Sequence, residues 1–128
     1  MISFNKDSIF NLKPIELDEV KEQVNGLLIE DEEIVSAFKT IRDQLIFTNK
    51  RVIAVDVQGI TGIRKSYTSL PYSRIDFFSI QTHGFLEIVP DGELFISFTN
   101  GYTATFEFRG NVDIGKIGRM ISKYALAK

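Results

Sequence analysis

Fifteen cationic side chains in a chain of 128 residues are the first place to look for chemistry, and three groups stand out. Lys50 and Arg51 sit in a polar tip, Thr48-Asn49-Lys50-Arg51, between two apolar runs. Arg64-Lys65 follows Gln58 to Gly62, "QGITG". Lys116, Arg119 and Lys123 recur at i, i+3 and i+7, which aligns them on one helix face. Such groups can hold a phosphate or lipid headgroup when bidentate donors converge with backbone N–H groups. Adjacent strand residues point to opposite faces, so Arg64 and Lys65 do not readily converge on one ligand. Each group also reads as solvated charge, at a turn, a strand end, or a helix C-terminus where cations are favoured. A basic helix stripe can equally rest on an anionic membrane.

Other chemistry finds little support. With no cysteine and one histidine, His83, nucleophile–base pairs reduce to Ser or Thr with a histidine beside Gly84 at a turn. Thiolate and multi-histidine metal sites are excluded, and no Asp-x-Asp-x-Asp calcium spacing appears. "GITG" lacks the Gly-Lys-Ser/Thr of a phosphate loop. The acidic run Glu30 to Glu33 reads as a solvated stretch before a strand. Glu87, Glu93 and Glu107 fall on neighbouring hairpins and could line a polar groove. The expectation is a protein without catalytic residues, metal or cofactor. A net charge of −2 argues against nucleic acid as a partner. No apolar run approaches the roughly 20 residues of a membrane span, and "MISFNKDSIFNLKP" lacks a secretory apolar segment. The expected location is the cytoplasm, the cytoplasmic face of a membrane included.

The elements that position these residues follow from periodicity. Length and 44% apolar content, with eleven Phe, suit a single domain over residues 1–128. Residues 1–13 have no clear period and read as an N-terminal arm. Residues 14–26 read as a short helix opened by Pro14, with Leu17, Val20 and Val24 at helical spacing and Asn25-Gly26 as its stop. Residues 33–108 alternate as strands. Asn49-Lys50 is a two-residue turn in which Asn tolerates left-handed backbone, while Pro90-Asp91-Gly92 and Asn100-Gly101 mark two further hairpins. Residues 111–126 form a closing helix capped by Asn111, its apolar stripe being Ile114, Ile117, Ile121 and Tyr124. Seven or eight antiparallel strands in a meander curl into a barrel or orthogonal sandwich, and the terminal helix caps it.

The segment Phe38 to Thr82 closely resembles the bacterial pleckstrin-homology-like domain family. "LIFTNKRVIAVD", "QGITG" followed by a basic pair and an aromatic, and "SLPYSRI" carry the likeness, in order and at matching spacing. With the hairpins and last helix it extends over about residues 16–126. The resemblance implies a mainly β pleckstrin-homology-like fold with a short N-terminal helix and a C-terminal capping helix. It also implies a ring-forming homo-oligomeric adaptor, pentamers included, that presents a polar surface to an unidentified protein partner. Phosphoinositide-binding relatives cluster Lys and Arg at the first strand–strand loop. Here only Lys39 and Arg42 lie nearby, beside Asp43.

The residues raise their own question about association. Pairing across Asn49-Lys50 puts Phe47 opposite Val52 and Leu45 opposite Ala54 on one face, with Ile46, Ile53 and Val55 on the other. A half-solvated sheet alternates apolar with polar, and this hairpin is apolar on both sides. Its second face needs either the N-terminal helix or a sister subunit. The interface candidates are therefore Leu45, Phe47, Val52 and Ala54. Gly115 and Gly118 join them, because each costs about 1 kcal/mol in a helix and implies close approach to the sheet or to another subunit. The expectation is a non-enzymatic homo-oligomeric protein-interaction module. The alternative is a peripheral membrane module that binds anionic headgroups through Arg64, Lys65 and the tip at Lys50.

Overall fold

In a computed structural model of the chain, which describes residues 6–59, 61, 64–83 and 88–126, the alternating segments form ten strands and the amphipathic ones two helices. A four-strand meander comes first: β2 (Ile34–Lys39), β3 (Gln44–Thr48), β4 (Arg51–Gln58) and β5 (Arg64–Pro71). The register of β3 on β4 is the one its apolar pattern predicts, with Leu45 on Ala54, Ile46 on Ile53 and Phe47 on Val52. A 3-10 turn, Tyr72–Arg74, then leads into β6 (Ile75–Gln81), which pairs with β8 (Glu93–Phe98). β8 turns through Asn100-Gly101 into β9 (Thr103–Phe108), with Gly101 at φ +91°, a conformation that favours glycine.

Residues 6–13 of the expected arm are not loose, and residues 1–5 lie outside the described residues. Lys6–Pro14 is a strand, β1, parallel to β9 and antiparallel to β2, so it joins the β2–β5 meander to the strands β9, β8 and β6. The result is one curled eight-stranded sheet, ordered β5-β4-β3-β2-β1-β9-β8-β6. Pro14 ends this strand instead of opening a helix, because Ile15 N–H still donates to Ala37. Helix α1 is accordingly shorter than expected, Asp18–Val24.

β1 and a short strand after β9 raise the number above the seven or eight expected. β7 (Ile88–Pro90) pairs with β10 (Asn111–Asp113), not with β8. The reversal at Pro90-Asp91-Gly92 is real, but it makes no local hairpin. Asp91, at φ +59°, is instead pinned to Gly110 by two hydrogen bonds, of 3.3 and 3.2 Å. Asn111 therefore lies in a strand, and the cap of helix α2 (Ile114–Ala125) is Asp113, whose side chain accepts from Lys116 N–H at 3.0 Å.

The main core fills the curl. Phe38 sits edge-on to Phe47 and Phe108, and Ile114, Ile117 and Ile121 of α2 close over them. A second, smaller core lies outside β2–β4, where Val20 and Val24 of α1 cover Ile46, Ile53 and Val55. Seven residues are too few for an independent helix, and Leu17 supplies no capping side chain, so α1 is held by this packing. Leu17 itself remains exposed. The hairpin's second apolar face is thus covered by the chain's own helix.

Candidate functional site

The residues first offered as a subunit interface prove to be interior. Leu45, Phe47, Val52 and Ala54 are at most 1% exposed and belong to the main core. Gly115 and Gly118 are buried as well. A Cβ on Gly118 would stand 2.6 Å from Ile80 Cδ1, so its reason is close approach to the sheet of the same chain. None of the six is available to a partner.

The polar tip is also not what its charge suggests. The Glu32 carboxylate, in the acidic run that reads as solvated, is fully buried and binds Arg51 through two bonds of 2.9 Å each. Thr48 Oγ1 donates to the same carboxylate at 2.7 Å, and Ile29 N–H donates at 3.1 Å. Arg51 continues to the Leu27 carbonyl at 2.6 Å and to Ser69 Oγ at 3.2 Å. Burial pushes the Glu32 carboxyl up, but Arg51, Thr48 and the Ile29 amide outweigh it and hold the group below its ordinary value. Asn49 completes the latch, accepting from Glu33 N–H and donating to the Asp31 carbonyl. Among non-glycine described residues only Asp31 and Asp91 have positive φ, so the turn needs no left-handed Asn49. Arg51 is thus committed to fastening residues 27–33 onto the hairpin, and Lys50 alone stays exposed there. Tyr72 ties the same tip to α2: its buried hydroxyl donates to the Thr48 carbonyl at 2.6 Å, and its ring stacks on Tyr124.

The remaining cations are exposed but do not converge. Lys50 and Arg64 lie at opposite ends of β4, whose eight residues span roughly 25 Å at about 3.3 Å each. They cannot share a headgroup. Arg64 and Lys65 lie on opposite faces of β5, as their adjacency requires. Lys116, Arg119 and Lys123 line the exposed face of α2. At the first-loop position Arg42 donates to the Gly59 carbonyl and Lys39 pairs with Glu19, so both cations already have partners. Ile41 between them is fully exposed. The Arg42–Gly59 bond and the pairing of Gln58 with Arg64 put the 40–43 loop at the same end of the sheet as Arg64 and Lys65. Glu93 and Glu107 do face each other across β8 and β9, while Glu87 lies outside the described residues. His83 is exposed.

Two sheet edges were not singled out by sequence patterning. β5 and β6 terminate the eight-stranded order, so each has one edge without a strand partner among the described residues. Tyr67 on β5 is 39% exposed and Phe77 on β6 is 54% exposed. Both are larger apolar groups than an open edge ordinarily presents to water. No helix among the described residues is long and apolar enough to cross a membrane.

This geometry agrees with the known proteins the chain resembles. The family described as bacterial PH domain matches residues 3–125. The chain belongs to the bacterial pleckstrin-homology domain family. Among its relatives, the uncharacterized protein YjqA of Bacillus subtilis is 34% identical over 103 residues, covering 80% of this chain and 82% of YjqA. A pleckstrin-homology protein of Shewanella loihica has a crystal structure that superposes with a TM-score of 0.75 at 30% identity, covering 91% of this chain and 99% of that one. The pleckstrin-homology domain of Shewanella amazonensis gives 0.61 at 32% identity, over 87% and 89% of the two chains. Family membership accounts for the curled sheet and capping helix. As in other pleckstrin-homology folds, function must come from surface features that the fold leaves open.

Proposed function

We propose that this bacterial pleckstrin-homology domain is a non-enzymatic, ring-forming homo-oligomer that works in the cytoplasm as a protein-interaction module. The observation that carries the reading is the pair of edges, β5 and β6, that have no strand partner among the described residues, at the two ends of one sheet. Joining β5 of one subunit to β6 of the next would continue the sheet. Such a head-to-tail contact closes into a ring where the rotation permits, a pentamer being one such closure. Arg64 and Lys65 blunt the first end of β5, so pairing would run along Ser66 to Leu70, which contains no proline. Single charges placed on the exposed edge residues, Tyr67→Lys and Phe77→Lys, test this. Each is expected to shift the chain to smaller mass in size-exclusion chromatography, and an unchanged assembly in both would exclude the edges as the contact.

A second reading, peripheral contact with an anionic membrane, draws on Ile41, exposed at the same end of the sheet as the exposed Arg64 and Lys65. An apolar tip accompanied by cations suits an interface. It predicts salt-sensitive sedimentation with phosphatidylserine vesicles that weakens in Ile41→Ser and in Arg64→Glu with Lys65→Glu. Equal binding to phosphatidylcholine vesicles would count against it.

A further inference from the structure

The 3-10 turn Tyr72–Arg74 and the Asn100-Gly101 turn approach each other, joined by Thr99 N–H donating to the Arg74 carbonyl at 2.8 Å. Between them and the end of β5 lies a pocket of about 280 Å³. Its floor is apolar, formed by Leu70 and Phe98, and the Tyr102 ring stands at its side. The lining also carries Arg74, Asn100 and the hydroxyl residues Thr68, Ser69, Thr99 and Tyr102, of which Ser69 already accepts from Arg51. Asn100 Oδ1 already accepts from Tyr102 N–H at 3.1 Å, which leaves the amide N–H groups to donate. Among the described residues no side-chain bond or ion pair involves the Arg74 guanidinium, and no carboxylate lines the pocket. Arg74 is an exposed member of this lining, and its guanidinium has no carboxylate partner among the described residues.

We infer that this pocket binds a small organic monocarboxylate, its acid group on Arg74 and its apolar body on Leu70 and Phe98. The volume falls just below the roughly 300 Å³ at which pockets for drug-sized ligands begin, so the ligand is compact. One planar guanidinium matches one carboxylate bidentately. A phosphate dianion calls for several charged donors or a nest of backbone amides, and among the described residues Arg74 is the only cation lining the pocket. The site is separate from the basic rim at Arg64 and from the stripe on α2, but Thr68, Ser69 and Leu70 also belong to the β5 segment proposed for assembly, so the mass of the chain is measured beside each binding experiment.

Benzoate is the probe, followed by saturation-transfer NMR on its ring protons with the full chain. Saturable transfer is expected. Benzamide, which has the same body without charge, and the variant Arg74→Gln should each weaken binding on the order of tenfold, the loss expected for a charge-assisted pair. Gln at position 74 keeps the backbone bond to Thr99, so the variant folds. Arg74→Lys, which retains the charge but not the fork, should fall between, while Arg119→Gln on the exposed face of α2 should leave binding unchanged. Inorganic phosphate should not displace benzoate. The inference is overturned by absent transfer, by equal binding of benzamide, by full binding in Arg74→Gln, or by displacement with phosphate at equal concentration.

Discussion

Replacing Arg51 by Met separates a structural role for the hairpin tip from a ligand-binding one. The substitution keeps the aliphatic stem but removes the partner of a carboxylate whose side chain is fully buried. Thr48 and the Ile29 amide would remain as its donors. Breaking a buried pair costs about 3–5 kcal/mol. Arg51 retains 18% side-chain exposure, which places the loss at the lower end, about 3 kcal/mol. For a chain of this length that lowers Tm by about 10 °C. Its pH dependence carries a sign. In the wild type the Glu32 carboxyl lies below its ordinary value, so its ionisation stabilises the fold above the ordinary carboxylate range. That contribution is lost as pH falls through the folded value. Without Arg51, burial dominates and raises the carboxyl, which penalises the variant above that range and relieves it in acid. The stability difference should be widest near neutral pH and should narrow near pH ~4. Urea unfolding followed by circular dichroism measures both, and adding Glu32→Gln completes a cycle with a coupling on the order of 2 kcal/mol. A loss below about 0.5 kcal/mol, or a loss independent of pH, would refute the latch and return Arg51 to the surface as a candidate anion contact.

Three other outcomes follow from the packing. Val20→Ala should cost about 2 kcal/mol and loosen α1 from Ile46 and Ile53, seen as faster hydrogen exchange on the outer face of the hairpin. Gly118→Ala gains about 1 kcal/mol in helix propensity and places a methyl 2.6 Å from Ile80 Cδ1, a side-chain terminus that can turn aside, so a net change smaller than about 1 kcal/mol is expected in thermal unfolding. Tyr72→Phe removes the 2.6 Å bond to the Thr48 carbonyl and should lower stability by about 1 kcal/mol in urea unfolding.

The legible parts of the chain were those whose structure is local. The β3–β4 register could be read because apolar residues alternate on both sides of a short polar turn, and a one-residue slip would expose every one of them. The Asn100-Gly101 hairpin and the stripe of α2 were legible for the same reason. β1 escaped because its register on β9 shifts between Ile9 and Leu12, which breaks the two-residue period that marks a strand. Pro90-Asp91-Gly92 announced a reversal, but the partner of β7 lies beyond β9, and sequence spacing carries no sign of that. Glu32 was indistinguishable from its acidic neighbours, since its partner Arg51 is nineteen residues away. Its nearest signal is Thr48, three residues before Arg51, a hydroxyl placed to bond the turn's own amides. The apolar hairpin did pose the right question about a covered face. It could not distinguish the chain's own helix from a sister subunit, because both supply the same aliphatic surface. The edges at β5 and β6 were invisible for a related reason: an edge is a property of the finished sheet.

The central claim concerns assembly, and the mass of the chain in solution tests it most directly. Light scattering across a size-exclusion peak at micromolar concentration should give one species whose mass is a whole multiple of 14.5 kDa and several times that value. A single species at 14.5 kDa would contradict it.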